Sequence, residues 1–390
     1  MHSDVAIIGG GASGLAAAAL LCRTTKLDIA LIEGGGRLGK KLAASGNGQG
    51  NISNAHISAQ NYHGSGAARA YDIISCFGKV YERLFYGRFT CDERGRIYPA
   101  GRQASALSDC LIAEVRRGGV NVFTGARVVS LEKGGQFVLR LSDGSSMTAK
   151  YVVMCVGGKA QKQFGTDGSS YALARAFGHR ITPLFPSLVQ LKTDVAHIKT
   201  LRGIRADCNV RAVAEDGGEM SARGDVIFTD YGVSGNAVFS VSPVFAGSRG
   251  KICIGFAPGI SEEELAADIR LKQSLGYERS EVLALTLNNQ IGRAIVRRAG
   301  SGDAAVIAHT AKNFTLEVNG TLGFDYAQVT RGGVDMSDVN DDLESALCPG
   351  LFFAGEVLDL DAYTGGYNLQ IAWSTAFVAA NSLHQGCEDG

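Results

Sequence analysis

The feature that most constrains the fold of this chain is a glycine-rich turn between an apolar segment and an alanine-rich segment. The apolar run DVAII at residues 4–8 is followed by GGGASG and then by LAAAALLC. This order predicts a buried strand, a tight turn and a helix. A second apolar run, DIALI at residues 28–32, ends in Glu33. Unbroken apolar strands of this kind are typical of a parallel sheet that is covered on both faces.

The glycines of the turn follow the spacing Gly9-x-Gly11-x-x-Gly14. In this motif the first glycine permits the tight turn, the second lets the backbone approach a pyrophosphate, and the third lets the helix pack closely on the strand. The free N–H groups at the helix N-terminus attract phosphates. Glu33 is placed to accept hydrogen bonds from ribose hydroxyls. The pattern therefore predicts a dinucleotide-binding site.

A segment near the C-terminus favours FAD over NAD as that dinucleotide. In GLFFAGEVLDLDAYTGGYNLQIAW a buried strand ends in Gly355-Glu356, and a Gly-Gly pair precedes an apolar helix. In FAD proteins of this class an acid at this place holds the ribityl hydroxyls. The helix directs its positive N-terminus at the flavin N1/C2=O region, where negative charge develops on reduction. A simple NAD dehydrogenase does not need this second segment.

The pattern between these two segments predicts an inserted domain. Short alternating runs at about 188–256 predict antiparallel strands in a small barrel or sandwich, and a helical pattern dominates about 257–324. The predicted fold class is α/β, with a Rossmann-type FAD-binding domain made from residues 1–187 and 325–390. The insert at 188–324 is predicted to combine a β-barrel with a helical subdomain.

Composition narrows the classes of partner. Lys+Arg and Asp+Glu each total 38, so the net charge is zero. The chain therefore lacks the excess of positive charge that is typical of proteins that bind nucleic acid or an anionic membrane surface. No apolar run approaches the ~18 residues of a membrane-spanning helix. The nine cysteines are scattered without a C-x-x-C pair, which favours reduced thiols and a cytoplasmic location. The histidines show no metal-ligand spacing. We therefore expect a small-molecule substrate, with no metal, nucleic acid or membrane partner.

Several longer stretches resemble one known family, the YhiN/BaiN-like or aminoacetone-oxidase-like FAD flavoproteins. SGNGQGNISN at 45–54, GRIYP at 95–99, FGTDGSSY at 164–171 and FTDYGVSGNAVFSVS at 228–242 are similar to stretches of that family. The C-terminal GLFFAGEVLDLDAYTGGYNLQIAWS is similar almost residue for residue. The resemblance covers essentially the whole chain. It implies an FAD domain split by an insert of a small β-barrel and helices.

The resemblance also implies which residues hold the cofactor. For the AMP half it implies Gly9, Gly11, Ala12, Ser13, Gly14 and Glu33, with the backbone of Val128 pairing with the adenine. For the central part it implies Lys41, Ser45, Gly46, Asn51 and Gly158. For the ribityl chain and the flavin it implies Gly355, Glu356, Gly366, Asn368 and Leu369.

Two places depart from the family pattern. The family's Arg-Cys in the glycine and asparagine loop is Gln49-Gly50 here, which removes a cation and a thiol from the neighbourhood of the cofactor. The proline that follows Ser-Gly in the insert is replaced by Asn236. Either departure is a candidate determinant of substrate preference, but the sequence does not indicate which substrate it would favour.

A bound flavin supplies hydride acceptance at N5 and reoxidation by O₂ or another acceptor. The chain has no second G-x-G-x-x-G and no C-x-x-C, so NADH or NADPH is expected to bind only transiently at the flavin, and a disulfide reductase is not expected. The resemblance implies an FAD-dependent oxidoreductase that reduces a small enone-like substrate with NAD(P)H or oxidises a small amine with O₂. The sequence does not separate these activities. A flavin-binding redox sensor or RNA-associated protein is the non-enzymatic alternative.

Three residues are candidates for contact with the substrate. Tyr363 and Thr364 precede the Gly-Gly pair, where they could reach the flavin edge as a proton donor or substrate anchor, and a tyrosine packed in a turn is the alternative. Arg331 in VTRGGV could bind an anionic group or lie on the surface. The sequence identifies no catalytic acid or base and no oligomeric state.

Overall fold

The computed structural model describes residues 1–388, with side chains described as far as residue 385. The chain divides into two compact units. The first unit consists of Met1–Phe185 together with the chain from Val329 onward, and the second unit is Pro186–Gln328. None of the helices described in these residues is long and apolar enough to cross a membrane.

The strands are numbered in chain order. They are β1 His2–Ile8, β2 Ile29–Glu33, β3 Ser53–Asn54, β4 Tyr62–His63, β5 Phe89–Cys91, β6 Arg96–Pro99, β7 Asn121–Thr124, β8 Val128–Lys133, β9 Phe137–Leu141, β10 Ser146–Met154, β11 Phe185–Ser187, β12 Leu191–Thr193, β13 Arg205–Ala214, β14 Glu219–Phe228, β15 Gly232–Ser234, β16 Gly250–Phe256, β17 Phe314–Thr321, β18 Val329–Arg331, β19 Leu351–Phe353 and β20 Asp361–Ala362.

The α-helices are numbered in the same way. They are α1 Ala12–Thr24, α2 Lys40–Ala43, α3 Ala67–Cys76, α4 Val80–Leu84, α5 Ala104–Arg117, α6 Tyr171–Arg175, α7 Asn236–Val241, α8 Glu262–Ser274, α9 Asn289–Ala299, α10 Ala304–Lys312 and α11 Tyr367–Glu388.

A seven-stranded sheet organises the first unit, with the strand order β7-β2-β1-β10-β9-β8 and with β19 also pairing with β10. The pairs β7–β2, β2–β1, β1–β10 and β10–β19 are parallel, whereas β8 and β9 are antiparallel to their neighbours. The parallel strands are apolar throughout because the sheet is covered, and Ile7, Leu31 and Val153 are fully buried. The carboxyl ends of β1, β2, β10 and β19 therefore meet at one edge of the sheet, where open α/β sheets bind ligands.

The second unit contains a closed barrel with the strand order β12-β15-β14-β13-β16-β17. Alternate residues of each strand face its interior, where the rings of Phe228, Phe256 and Phe314 pack together. The helices α8, α9 and α10 lie between β16 and β17 in the chain. Together with the parallel sheet of the first unit, this arrangement confirms the predicted fold class of a Rossmann-type domain split by a barrel and helices.

One part of the sequence prediction for the insert is wrong. The segment 257–324 was predicted to be helical, but its last part forms β17 and completes the barrel between β16 and β12. The alternation in β17 is short, with Phe314, Leu316 and Val318 facing inward, and it directly follows the helical pattern of α10. A period of two over so few residues gives a weak signal next to a strong helical one.

Candidate functional site

The turn after β1 holds two glycines where a side chain does not fit. Gly9 has a φ of +106°, and a Cβ there would lie 2.3 Å from the carbonyl oxygen of Cys155. A Cβ on Gly14 would lie 1.8 Å from the carbonyl oxygen of Gly9. Because neither residue has a side chain, the backbone can pack this closely, and α1 starts directly after the end of β1. Burial raises the pKa of the Cys155 thiol to about 12, so this buried cysteine does not supply a thiolate.

Gly11 is placed differently, because a Cβ at this position would meet no atom within 4 Å. Gly11 is the N-cap of α1, and the first turn has no capping side chain and no acidic residue. The N–H groups of the first turn, including those of Ala12 and Ser13, therefore have no acceptor inside the helix. Open space in front of an uncapped helix N-terminus fits a phosphate group.

Glu33 lies at the end of β2 with both carboxylate oxygens bonded to the backbone. Its Oε2 accepts a hydrogen bond from the Gly10 N–H at 2.8 Å, and its Oε1 accepts one from the Gly35 N–H at 2.6 Å. The N–H of Ala126 donates to the Glu33 carbonyl at 3.0 Å, which brings the chain leading to Val128 alongside. The structure thus brings together the residues predicted for ribose and adenine.

Glu356 is the centre of a second group of predicted residues. Its Oε2 lies 2.8 Å from the Nζ of Lys41, and the Lys41 and Glu356 side chains are 26% and 20% exposed. Its Oε1 accepts a hydrogen bond from the Thr330 N–H at 2.9 Å. A Cβ on Gly158 would lie 2.8 Å from the same oxygen. The glycine therefore gives the carboxylate room, and the cation and the amide fix its orientation.

Gly355 connects the C-terminal segment to the first helix. It has a φ of +82°, and a Cβ there would lie 2.5 Å from the Ser13 Oγ. Its N–H donates to the Oγ1 of the buried Thr375 on α11 at 2.9 Å. The N-terminal turn of α1 and the strand end that precedes Glu356 are therefore in contact.

The loop that follows α2 contains an unpartnered polar atom. The Ser45 Oγ is buried and has no hydrogen-bond partner among the described residues, while Gly46 next to it has a φ of +57°. The amide oxygen of Asn51, in the orientation that satisfies its neighbours, accepts a hydrogen bond from the Gly366 N–H at 3.1 Å. A buried hydroxyl without a partner is costly and fits a site that a cofactor completes.

The turn before α11 is fixed by Asn368. The Asn368 Oδ1 accepts from the Ala362 N–H at 3.0 Å, and its Nδ2 donates to the carbonyls of Ala362 at 2.9 Å and Tyr363 at 3.3 Å. Its side chain therefore positions residues 362–363, and its backbone N–H belongs to the first turn of α11. Leu369 packs against the core of the first unit. The first turn of α11 contains no acidic residue, so its N-terminus is free to face an anionic group.

Tyr363 and Arg331 lie in one cluster with two residues that the sequence analysis missed. The ring of Tyr363 packs edge to face on the ring of His63, with centroids 4.8 Å apart. The Nε of Arg331 lies 3.1 Å from the Oδ1 of Asp361, and the two side chains are 23% and 1% exposed. The Arg331 side chain is therefore partly exposed and is paired with a buried carboxylate. Thr364 is half-buried in the same turn.

Burial has opposite effects on the two aromatic groups of this cluster. It raises the pKa of Tyr363, and the guanidinium of Arg331 acts in the opposite direction. It lowers the pKa of His63, where Asp361 opposes the effect of burial. At neutral pH the cluster therefore presents a phenol and an uncharged imidazole.

Gly50, the second residue of the departure at Gln49-Gly50, lies where a side chain has little room. Gly50 has a φ of +74°, and a Cβ there would lie 2.8 Å from the Cδ1 of Leu107 on α5. The Oε1 of Gln49 accepts a hydrogen bond from the Nη1 of Arg102 at 3.2 Å. A guanidinium from another part of the chain thus lies beside the position at which the family carries its own cation.

A parallel sheet with a glycine turn after its first strand, an acid after its second and a C-terminal strand that returns to the same sheet define a Rossmann-type flavoprotein. Residues 3–382 match the family described as "HI0933-like protein Rossmann domain". The chain belongs to this family, as the resemblance implied.

Two relatives cover almost the whole chain. A 3-dehydro-bile acid Δ(4,6)-reductase from Clostridium scindens is 34% identical over 97% of this chain and 98% of its own length. A ribosomal RNA dihydrouridine synthase from Escherichia coli is 28% identical over 97% of this chain and 98% of its own length. The family, its reductase member and the site together identify the chain as an FAD-dependent oxidoreductase.

The fold also occurs in a solved structure. The 3-ketosteroid Δ4-(5α)-dehydrogenase from Rhodococcus jostii superposes with a TM-score of 0.51 at 17% identity, covering 98% of this chain and 97% of that one. At this level of identity the likeness concerns the fold alone.

Proposed function

We propose that the protein reduces a carbon–carbon double bond conjugated to a carbonyl in a small organic substrate, with NADH or NADPH as the electron donor. The main support is the relative that is 34% identical over nearly its full length and is named a 3-dehydro-bile acid Δ(4,6)-reductase. The more distant relative named a ribosomal RNA dihydrouridine synthase points to the same reaction class, because dihydrouridine is uridine whose ring double bond has been saturated.

The AMP half of FAD is expected at the end of β1. The open space at Gly11 and the N-terminus of α1 would take the pyrophosphate. Glu33 would accept hydrogen bonds from the adenosine ribose with the lone pairs that Gly10 and Gly35 leave unused. The backbone of Val128 would pair with the adenine.

The flavin half is expected between Glu356 and the N-terminus of α11. The Glu356 carboxylate, fixed by Lys41 and Thr330, would accept hydrogen bonds from ribityl hydroxyls. The Ser45 hydroxyl would gain a hydrogen-bond partner that the part of the chain in the structure does not offer it. The first turn of α11 would face the flavin N1/C2=O region and stabilise the negative charge of the reduced ring. When bound, FAD supplies hydride transfer at N5.

Reduction of a conjugated double bond also needs a proton, and we assign its donation to Tyr363. Its phenol is protonated at neutral pH because burial raises its pKa, and it lies three residues before the N-cap of α11. Thr364, in the same turn, would anchor the substrate beside it. A positioned general acid typically accelerates such a step by ~10²–10⁴-fold.

A second candidate function is the reduction of uridine in RNA, which the relative named a ribosomal RNA dihydrouridine synthase favours. The zero net charge of the chain argues for a small molecule, because RNA-binding proteins carry a basic surface. The two functions share the flavin and the hydride chemistry, and they differ in the size and charge of the substrate.

Anaerobic spectroscopy tests the proposal directly. The flavin bands of the FAD-loaded protein should bleach on addition of NADH or NADPH. They should return when a 3-keto steroid with a conjugated double bond is added, with the saturated product identified by mass spectrometry. Return of the bands with ribosomal RNA that lacks dihydrouridine, but not with the steroid, would support the RNA alternative. Bleaching by a small amine but not by NAD(P)H would replace the reductase with an amine oxidase.

A further inference from the structure

We propose that Tyr363 is the proton donor to the substrate, that His63 is a positioning residue for its ring, and that Arg331, held by Asp361, is the cation that stabilises its phenolate. This inference rests on the proposed reductase function, since it concerns the proton that the reaction requires. The sequence suggested none of His63, Arg331 and Asp361 for the cofactor, and of these three residues it suggested only Arg331 for contact with the substrate.

The backbone of Tyr363 is fixed on both sides. Its N–H donates to the carbonyl of Asn61 at 3.0 Å, and its carbonyl accepts from the Nδ2 of Asn368 at 3.3 Å. With the backbone fixed, the direction of the phenol depends on its χ angles. The ring of His63, at 4.8 Å and an interplanar angle of 88°, supports the tyrosine ring from the side.

The short strands β4 and β20 bring these residues together. They pair antiparallel, with His63 opposite Asp361 and Tyr62 opposite Ala362. Among the residues with described side chains, none forms a hydrogen bond with the buried Nε2 of His63, and burial lowers the pKa of this imidazole. An uncharged imidazole in this setting acts as an aromatic surface, so a phenylalanine should replace it in this role.

Arg331 supplies the positive charge of the cluster. Its Nε is held by Asp361, which is 1% exposed, so the guanidinium has a fixed position. His63 on β4 packs against the Tyr363 ring, and Asp361 on β20 pairs with Arg331 on β18. Of these, Arg331 lowers the pKa of the phenol and so opposes the effect of burial. A nearby cation stabilises the phenolate that remains after the proton has left.

The proposed step is balanced by groups that the reaction already uses. The hydride that NAD(P)H supplies forms a C–H bond at the carbon remote from the carbonyl, and NAD(P)H is oxidised to NAD(P)⁺. The O–H bond of Tyr363 breaks, and its proton forms the second C–H bond at the carbon next to the carbonyl as the double bond is lost. The phenolate then takes a proton from water.

Titration of the phenol tests the role of Arg331 without any turnover. The FAD-loaded protein is labelled with [ζ-¹³C]tyrosine, and the Tyr363 signal among the 12 tyrosines is assigned by its loss in Tyr363→Phe. Arg331→Gln should raise the pKa of Tyr363, because the variant loses the cation that opposes the effect of burial. Arg331→Lys keeps the positive charge and should leave the pKa of Tyr363 near its wild-type value. An unchanged pKa in Arg331→Gln would overturn the assignment, whatever the substrate proves to be.

Kinetics of NAD(P)H-dependent enone reduction test the role of His63. His63→Ala should lower kcat at least ten-fold with little change in KM, and His63→Phe should restore most of the loss. Failure of His63→Phe to restore kcat would contradict a role through ring contact, and an unaltered kcat in His63→Ala would contradict positioning altogether. If wild-type protein reduces no enone, the proposed function fails, whereas the titration of Tyr363 still decides the role of Arg331.

Discussion

At the scale of single residues, the two glycines at the start of α1 predict different consequences for the same substitution. A Cβ on Gly14 would lie 1.8 Å from the Gly9 carbonyl oxygen, whereas a Cβ on Gly11 would meet no protein atom within 4 Å. Gly14→Ala should therefore destabilise the apoprotein by ~1–3 kcal/mol, as overpacking does. Gly11→Ala should leave its stability within ~0.5 kcal/mol but weaken FAD binding at least ten-fold. Denaturant unfolding measures the effect on stability, and flavin fluorescence titration measures the effect on FAD binding. Normal FAD affinity in Gly11→Ala would show that the pyrophosphate does not bind at this turn.

Lys41 carries a second prediction at this scale. Its ammonium lies 2.8 Å from Glu356 in a half-buried pair, so Lys41→Met would leave that carboxylate without its cation. A hydrogen bond to a charged group contributes ~1.5–3 kcal/mol, and FAD affinity should fall ~10–100-fold if Glu356 binds the ribityl chain. Lys26→Met, at an exposed lysine of the same unit, is the matched control. Equal FAD affinity in both variants would show that Glu356 does not bind the cofactor.

The candidate site could be predicted from sequence only where its residues act locally. Gly9, Gly11 and Glu33 belong to a strand, turn and helix whose pattern is contained in one short segment. His63 and Asp361 are brought together by two strands of two residues each, which have no periodicity to detect. The sequence therefore identified Tyr363 but not the imidazole that packs against it.

At the scale of elements, α11 is held in place by a buried amide. The side chain of Gln370 is fully buried. Its Oε1 accepts from the Ser53 Oγ at 2.6 Å, and its Nε2 donates to the Ser374 Oγ at 2.8 Å and to the Phe77 carbonyl at 3.2 Å. Gln370→Met keeps the volume but leaves these groups unsatisfied, at ~1–3 kcal/mol for each group that finds no other partner. Denaturant unfolding measures the loss, with the exposed Gln136→Met as a control that should change little.

The contact between α1 and α5 should depend on pH. Glu114 accepts from Arg23 at 3.0 Å, and this hydrogen bond holds the pKa of Glu114 below its ordinary value. A lowered pKa in the folded state stabilises the protein above the unfolded value of ~4.3, and the contribution disappears as pH falls through the folded pKa. Glu114→Gln should therefore lower the unfolding free energy by ~1 kcal/mol at pH 7 and by progressively less in acid. A difference that persists unchanged at low pH would exclude the carboxylate as its cause.

The elements of the first unit were more predictable than those of the second. An apolar strand of a covered parallel sheet gives a continuous signal, and β1 and β2 were found from it. The strand β17 was missed because its inward-facing positions are recognised only when β16 and β12 are already beside it. Closure of the barrel is a property of the whole unit, and no single stretch of the sequence contains it.

At the scale of the whole molecule, the division into two units predicts which part of the chain binds the flavin. Every residue proposed to hold FAD lies in Met1–Phe185 or in the chain from Val329 onward. Each unit has its own hydrophobic core, and the barrel closes without open edges.

A chain in which Pro186–Gln328 is replaced by a short Gly-Ser linker should therefore fold and show flavin absorbance after reconstitution with FAD. The segment Pro186–Gln328 expressed alone should fold cooperatively, as followed by circular dichroism, and bind no flavin. Flavin retained by the isolated second unit, or lost from a folded first unit, would mean that the cofactor requires residues of the insert that the proposed site does not include.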